Sequence, residues 1–555
     1  MLSNHNVCAV GLKALLLAGA GSALVALPAA AYDGSGSDYY AYDGGVTLTR
    51  DSSAPSIFPL SPGATTGLSF NGISQLDVRA VNNNSSFIPP DTNGAIGTSQ
   101  YLEVSNGAYA VFDKATGARQ SLVSMTAFWQ AAGQAGSSGD SRVLFDARSQ
   151  KWIVESFAVP DANGLLPTLQ IAVSNDSNAL HGFKSVTFTG YNPPGSAPIA
   201  DYPTLALDGK AIYIGTNDFD LNAPQQFAGT TLNVISRADI FGAGGPKVTS
   251  LQQFFAPCTT TACTDRGFAI QGVNQLGGDS GKILATSATD FGQLVYNVTN
   301  PGSGYGTETA VVTLDNSPYD PNGKARQPDL TTNGTSKRVV DTSDDRTSSA
   351  VWEQAGTIYA TQTITPTGTD HTSVRWTVVD AKTNKVIAEG YIGNNNDGFD
   401  YFQGTITVNR SGQVVIGYNR SGSTPGVGKI TDLANAYNPD GLGGLTLTQT
   451  LLLHVSPIDD YHNGSTQFSA PAGRQRWGDY AQVTVDPNND QSFWVIGEYA
   501  LGYLPNPTAS FSRWGTWISA INLAAIPEPG TWAMMLMGFG LVGGAMRRRV
   551  KTAAA

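Results

Sequence analysis

Acid–base chemistry needs carboxylates that can be brought together, and a few residues of this chain have the right types for it. Asp201 lies in Asp201-Tyr202-Pro203, and Asp479 in Arg476-Trp477-Gly478-Asp479-Tyr480, with Glu498 shortly after. Two of these carboxyls, flanked by Arg476 and Tyr480, could serve as acid and base on a glycosidic bond. The same residues have a plain structural use: Asp479 capping a turn, Arg476 pairing with it, Glu498 ending a strand. The chain has no Gly-x-Ser-x-Gly elbow, His-Glu-x-x-His pair or phosphate-binding loop. Residue types therefore name candidates without naming an activity.

Metal chemistry is sparse. Of the five histidines, His5 lies at the extreme N-terminus, and His181, His371, His454 and His462 stand in no metal-ligand spacing. Asp218 and Asp220, and Asp397 and Asp400, sit in oxygen-rich stretches compatible with calcium. Neither stretch ends in the Glu of an EF-type loop, and ordinary Asx turns account for both. No other cofactor is expected.

The elements that must position these residues follow from composition and pattern. The 555 residues include 63 Gly and 29 Pro, with 14% charged residues and a net charge of -11. So much punctuation excludes long helices, and an acidic surface disfavours nucleic acid as a partner. Lys13, the apolar run Ala14–Leu27 and Ala29-Ala30-Ala31 read as a signal peptide over 1–31, to be removed by signal peptidase. In an exported chain, Cys258 and Cys263 are expected to form a local disulfide, stabilising by about 2 kcal/mol in the chain-entropy model. Residues 32–87 are rich in Gly, Ser and Asp and read as an extended, partly disordered lead-in, with the body at 88–525.

Within the body one hairpin pattern recurs. Around 481–496, Ala481, Val483 and Val485 alternate with polar residues, Asp486-Pro487-Asn488-Asn489-Asp490 turns the chain, and Phe493–Ile496 is continuously apolar. Degraded copies lie at 101–112, 142–157, 201–214, 282–296, 350–360 and 405–418. A lone hairpin cannot bury two apolar faces, whereas radially repeated four-stranded sheets cover one another. The expectation is an all-β chain forming a single β-propeller of six or seven blades, seven favoured; the alternative is a large β-sandwich. Trp152, Trp352, Trp376, Trp494 and Trp517 read as inter-blade packing, and the five candidate acid, base and cationic residues would sit at the axial mouth.

Pro89-Pro90-Asp91-Thr92-Asn93-Gly94, Asp201-Tyr202-Pro203 and the stretch from Arg476 to Tyr499 resemble hallmarks of a group of secreted bacterial β-propeller proteins, a resemblance that carries over no catalytic residue. At the C-terminus, Pro527-Glu528-Pro529 precedes an apolar stretch containing Trp532 and ending at Met546, then Arg547-Arg548-Arg549. This closely resembles a PEP-CTERM sorting signal. The apolar stretch, at 1.5 Å per residue, is roughly 25 Å long, enough for one thin-bilayer helix, and the arginines would stay cytoplasmic. The resemblance implies an exosortase acting near Pro527-Glu528-Pro529 of segment 526–555, transient anchoring in the inner membrane of a Gram-negative host, and release or display outside. A permanent tail anchor is the alternative. For the body, two uses remain: a non-catalytic module binding exopolysaccharide or a surface protein, and a polysaccharide hydrolase or lyase.

Overall fold

The structure is a computed structural model. It describes residues 63–134, 138–158, 168–190, 198–220, 226–258, 265–275, 277–287, 292–320, 324–328, 339–393, 397–462, 475–503 and 512–526. The expected signal peptide and sorting segment from Pro527 onward lie outside these residues, as does Cys263; Cys258 itself is disulfide-bonded.

The described strands form a β-propeller. Most of them group into seven four-stranded antiparallel units, six of them built in chain order at 93–124, 138–189, 198–257, 268–313, 351–392 and 399–455, with the fourth and fifth joined into one sheet by a short parallel pairing of Val273–Asn274 with Val351–Trp352. The seventh takes three strands from 482–522 and its fourth from Thr65–Ser74, near the other end of the chain. In the third unit the first strand is split into Pro198–Asp201 and Ala206–Leu207, both pairing with Ala211–Asp220.

The first strand of each unit is the innermost, and side-chain amides stitch neighbours together there. Asn93 Nδ2 donates to Gln482 Oε1 (2.8 Å), while Asn93 Oδ1 accepts from the Val143 N–H (2.9 Å). Gln482 Nε2 reaches the carbonyls of Gly94 and Val143, each at 2.9 Å, so three units meet at one side chain. Amides suit the job because each supplies donors and an acceptor to backbone groups that the sheet leaves unpaired. Farther out the units are held by apolar clusters. Trp129 and Trp152 pack between the first and second units, Tyr213 and Ile283 between the third and fourth, and Trp494 with Phe112 between the seventh and first. These interfaces explain why a second strand such as Ala211–Asp220 opens on the unbroken apolar run Ala211–Ile214 and is buried along nearly its whole length: both faces are covered.

Two features depart from the sequence expectation. The lead-in assigned to 32–87 is already body from Thr65, because Thr65–Ser74 pairs with Ser512–Asn522 and closes the ring. A short helix, Gln75–Val81, follows, begun by a Ser74–Asp77 capping box. The strand escapes notice because Thr65-Thr66-Gly67-Leu68-Ser69-Phe70-Asn71-Gly72 is polar and glycine-containing, as an outermost strand with one exposed face can be. Second, the hairpin copies at 101–112 and 282–296 are second and third strands, not first and second; the innermost strands there are Asn93–Ile96 and Phe268–Asn274.

Candidate functional site

Five of the seven innermost strands enter the axis through an unusual backbone. Asp91, Asp140, Tyr202, Ala269 and Gln403 all have φ between 46° and 56°, in five different units. At Asp140, Ala269 and Gln403 this coincides with a register shift against the next strand. A bulge here re-aims side chains toward the axis, and a non-glycine residue in this conformation costs on the order of 1–2 kcal/mol. Repeated five times, it builds one polar cluster from five turns.

The cluster is a chain of charge-assisted contacts. Arg476 Nη2 donates to both carboxylate oxygens of Asp479 at 3.1 Å, and Arg476 Nε lies 3.5 Å from Asp341. Asp341 is brought there by a small sheet in which Val340–Asp341 runs parallel to Gln475–Arg476. The Asp479 N–H donates to Asp91 Oδ1 (2.8 Å), and Asn106 Nδ2 to Asp91 Oδ2 (2.7 Å). The Tyr480 hydroxyl donates to Asp140 at 3.2 Å. Arg346 makes paired 2.6 Å contacts with Asp344, approaches Asp479 at 4.0 Å and lies 4.3 Å over the Tyr202 ring. The Arg142 guanidinium stacks 3.6 Å over Tyr480, whose ring centroid is 5.0 Å from that of Tyr202.

Carboxyls outnumber arginines here, and their titration shows it. Burial, then Asp479 and Asp140, push Asp91 well above the usual carboxylate range. Burial and the neighbouring Asp201 do the same to Asp140, and burial raises Asp201 to about 6. Asp140 and Asp201 hydrogen-bond to one another, so these two carboxyls titrate as a pair.

Of the five residues named from sequence, Asp201, Asp479, Arg476 and Tyr480 join this cluster. Glu498 stands beside it, its Oε2 against Gly478, with burial, Asp91 and Asp432 holding its carboxyl well above the usual range. All five are enclosed, from 2% exposure for Asp479 and Tyr480 to 7% for Asp201. Asp91, Asp140, Arg142, Tyr202 and Arg346 were missed. The available signal was an Asp next to or near the left-handed residue in Pro90-Asp91, Asp140-Ser141-Arg142 and Asp201-Tyr202, spaced too irregularly to stand out.

The calcium candidates do not converge. Asp218 accepts the hydroxyls of Thr216 (2.9 Å) and Thr231 (2.5 Å), and burial raises it to about 7. Asp220 is two residues farther on, the last residue of the same strand, Ala211–Asp220. Asp400 is taken by Arg326 Nε and the Arg326 N–H, both at 2.8 Å, while Asp397 accepts the Tyr401 hydroxyl at 2.6 Å. Among the described residues no three His, Cys, Asp or Glu side chains gather as a metal site.

A second region differs in kind. Between the fifth and sixth units is a cavity of about 510 Å³, walled by Trp376, Tyr391, Tyr401, Tyr418 and Tyr437, with Arg420, Asn435 and Asp397 among them. Trp376 lies flat over Gly390 of the paired strand, where an added Cβ would come within 2.4 Å of the ring. The Tyr418 hydroxyl donates to Asn435 Oδ1 (2.9 Å), and Asn435 Nδ2 donates to the Tyr437 hydroxyl (3.1 Å), fixing both rings. Tyr391 is 39% exposed at the rim.

The chain ends of the body lie together. Thr65 pairs with Asn522, level with the Asp486–Asn489 turn and therefore at the end of the seventh unit away from Asp479. The backbone remains tied as far as Ala524, whose carbonyl accepts from Gln413 Nε2 at 3.0 Å. Immediately beyond, residues 525–549 match the family model described as the PEP-CTERM protein-sorting motif. The chain carries a PEP-CTERM sorting signal. A PEP-CTERM signal implies export, membrane-anchored processing in a Gram-negative bacterium, and an exosortase as the processing partner. Among the described residues no helix is long and apolar enough to cross a membrane.

For the body, no curated protein matches. Similar solved structures include a protein of unknown function from Dyadobacter fermentans, at 13% identity and TM-score 0.36 over 70% of this chain and 94% of that one. Drosophila semaphorin 1b extracellular domains 1–2 give 9% and 0.34 over 83% and 87%. A GH43 endo-arabinanase from Bacillus licheniformis gives 10% and 0.29 over 55% and 96%. At these values the likenesses carry nothing about activity.

Proposed function

We propose that this PEP-CTERM protein is a non-catalytic, carbohydrate-binding propeller, released or displayed outside the cell after exosortase processing and engaging exopolysaccharide. The observation that carries the reading is the contrast between the two regions. The carboxyls named as acid and base are buried, and those of Asp201 and Asp479 are hydrogen-bonded to protein partners. The inter-blade cavity instead offers aromatic rings beside an amide and charged groups, the mix of apolar walls with a few placed polar groups found in small-ligand sites. Aromatic faces pack against the C–H faces of a sugar ring, and Asn435 and Asp397 hold the tyrosine walls in place.

The test is a glycan array run with a reducing-sugar release assay on the processed protein. Binding without release is expected; release that disappears in Asp201→Asn and Asp479→Asn would reverse the assignment. Processing is tested separately. Only about 10 Å of extended chain separates the tied Ala524 from Pro527, so an enzyme acting there meets the body at once. Alanines in place of Pro527-Glu528-Pro529 should leave full-length protein in the inner membrane, and deleting Leu523–Ala525 should slow processing. Normal processing of the alanine variant would end the sorting assignment.

A further inference from the structure

The cavity between the fifth and sixth units contains one group that a neutral sugar would leave unused. Arg420 sits on the strand Val414–Gly422 and lines the cavity. Its guanidinium lies 4.2 Å over the Phe399 ring, which holds it from behind without neutralising it. Among the described residues Arg420 Nε is buried and has no hydrogen-bond partner, and the guanidinium's own neighbour is the neutral Tyr401 hydroxyl. Three other arginines of the body meet carboxylates, Arg346 with Asp344 (2.6 Å), Arg476 with Asp479 (3.1 Å) and Arg237 with Asp146 (2.5 Å), while the enclosed Arg142 and Arg375 donate to carbonyl or amide oxygens. Asp397, the carboxylate that shares the cavity, is occupied by the Tyr401 hydroxyl (2.6 Å) and the Phe399 N–H (2.9 Å). It orients a wall of the cavity and forms no ion pair with Arg420.

We propose that this cavity binds a carboxylate-bearing sugar, a hexuronate within an acidic polysaccharide, with Arg420 receiving the carboxylate and the aromatic walls receiving the ring. The proposal rests on the carbohydrate-binding reading and specifies its ligand. A guanidinium presents donors in a planar fork that matches a carboxylate in a way a hydroxyl does not. A buried, unpartnered donor on that fork gains a partner only when such a ligand arrives. Trp376 and Tyr437, with centroids 6.0 Å apart and planes at 58°, form an angled wall within the same space. The volume, about 510 Å³, lies inside the roughly 300–1,000 Å³ usual for ligand sites and admits a short oligosaccharide. Net charge argues against indiscriminate attraction of polyanions, since the chain stands at -11, so recognition must come from a local cation of this kind.

Calorimetry on the processed protein distinguishes the claims, using hexamers of galacturonate, mannuronate and glucuronate and the methyl ester of each, which keeps the ring and removes the charge. At least one acid should bind about tenfold or more tighter than its ester. Arg420→Gln should weaken acid binding by about tenfold more than ester binding and so abolish that preference, and Arg420→Lys should restore part of it; circular dichroism of both variants controls for folding. Equal binding of acid and ester, or an acid preference that survives Arg420→Gln, overturns the uronate assignment and leaves the carbohydrate reading standing. Failure of every acid and ester, together with an empty glycan array, overturns both and would turn the search to a peptide ligand for the same cavity.

Discussion

The axis and the inter-blade cavity are built from similar residue types, arginines, aspartates and tyrosines, yet they do opposite things. At the axis, Arg346 and Arg476 are matched to Asp344, Asp341 and Asp479, and the tyrosines are sandwiched by Arg142 and Arg346. In the cavity, Arg420 faces open volume with its carboxylate neighbour already engaged, and Tyr391 reaches solvent. The lesson is that charge in a site says little until its partners are counted. A closed cluster of mutual ion pairs positions strands; a cation that faces open volume has capacity left for a ligand.

The contrast can be broken most severely at Arg476. Arg476→Ala would leave Asp479 and Asp341 buried without their cation, and loss of one partner from a buried pair costs roughly 3–5 kcal/mol. Urea unfolding of the variant should show a destabilisation of that order. A change under about 1 kcal/mol would mean that the axial network is open to water and free to act on a ligand.

Next in size is the pH dependence of the axis. The folded Asp201 carboxyl, raised to about 6, binds its proton more tightly than the unfolded one near 4. Its contribution to stability is therefore complete below about pH 4 and lost as pH rises through 6. Asp201→Asn keeps the hydrogen-bonding shape without the ionisation. The melting temperature of the parent should fall between pH 4 and 7, and the variant should flatten that slope. Parallel curves for the two proteins would remove Asp201 as the cause.

Smaller effects on stability, and larger ones on binding, belong to the cavity. Tyr391→Ala removes an exposed ring, so its unfolding free energy should stay within about 0.5–1 kcal/mol of the parent. Its affinity for the best-binding glycan should drop severalfold in the same calorimetric assay. Gly390→Ala is subtler: the added methyl must displace the Trp376 ring, changing tryptophan fluorescence and weakening binding while the far-ultraviolet dichroism stays that of the parent. If Gly390→Ala binds as the parent does, Trp376 is packing alone, as the sequence reading had it.

How much of this was legible beforehand depended on distance along the chain. The hairpins were readable because alternation and turn residues are local, as at Val483, Val485 and Asp486-Pro487-Asn488. Asp201, Asp479, Arg476 and Tyr480 could be named because each sits in a distinctive short motif. Their companions could not, since Asp91 and Asp479 are 388 residues apart and meet only when the ring closes. The closing strand was hidden for the same reason: Phe70 is specified by its partner Ile518, not by its neighbours.

By itself the sequence determined the strand-rich class, the hairpin unit and the sorting signal at 525–549, because each is encoded by residues adjacent in the chain and read by the backbone or by an enzyme as a linear segment. Only the tertiary structure decided which arginines meet carboxylates and which face a cavity. Pairing is a question of three-dimensional neighbours: Arg420 and Arg476 look alike in sequence, and differ because closing the ring encloses one among carboxylates and leaves the other at the edge of a cavity between two units.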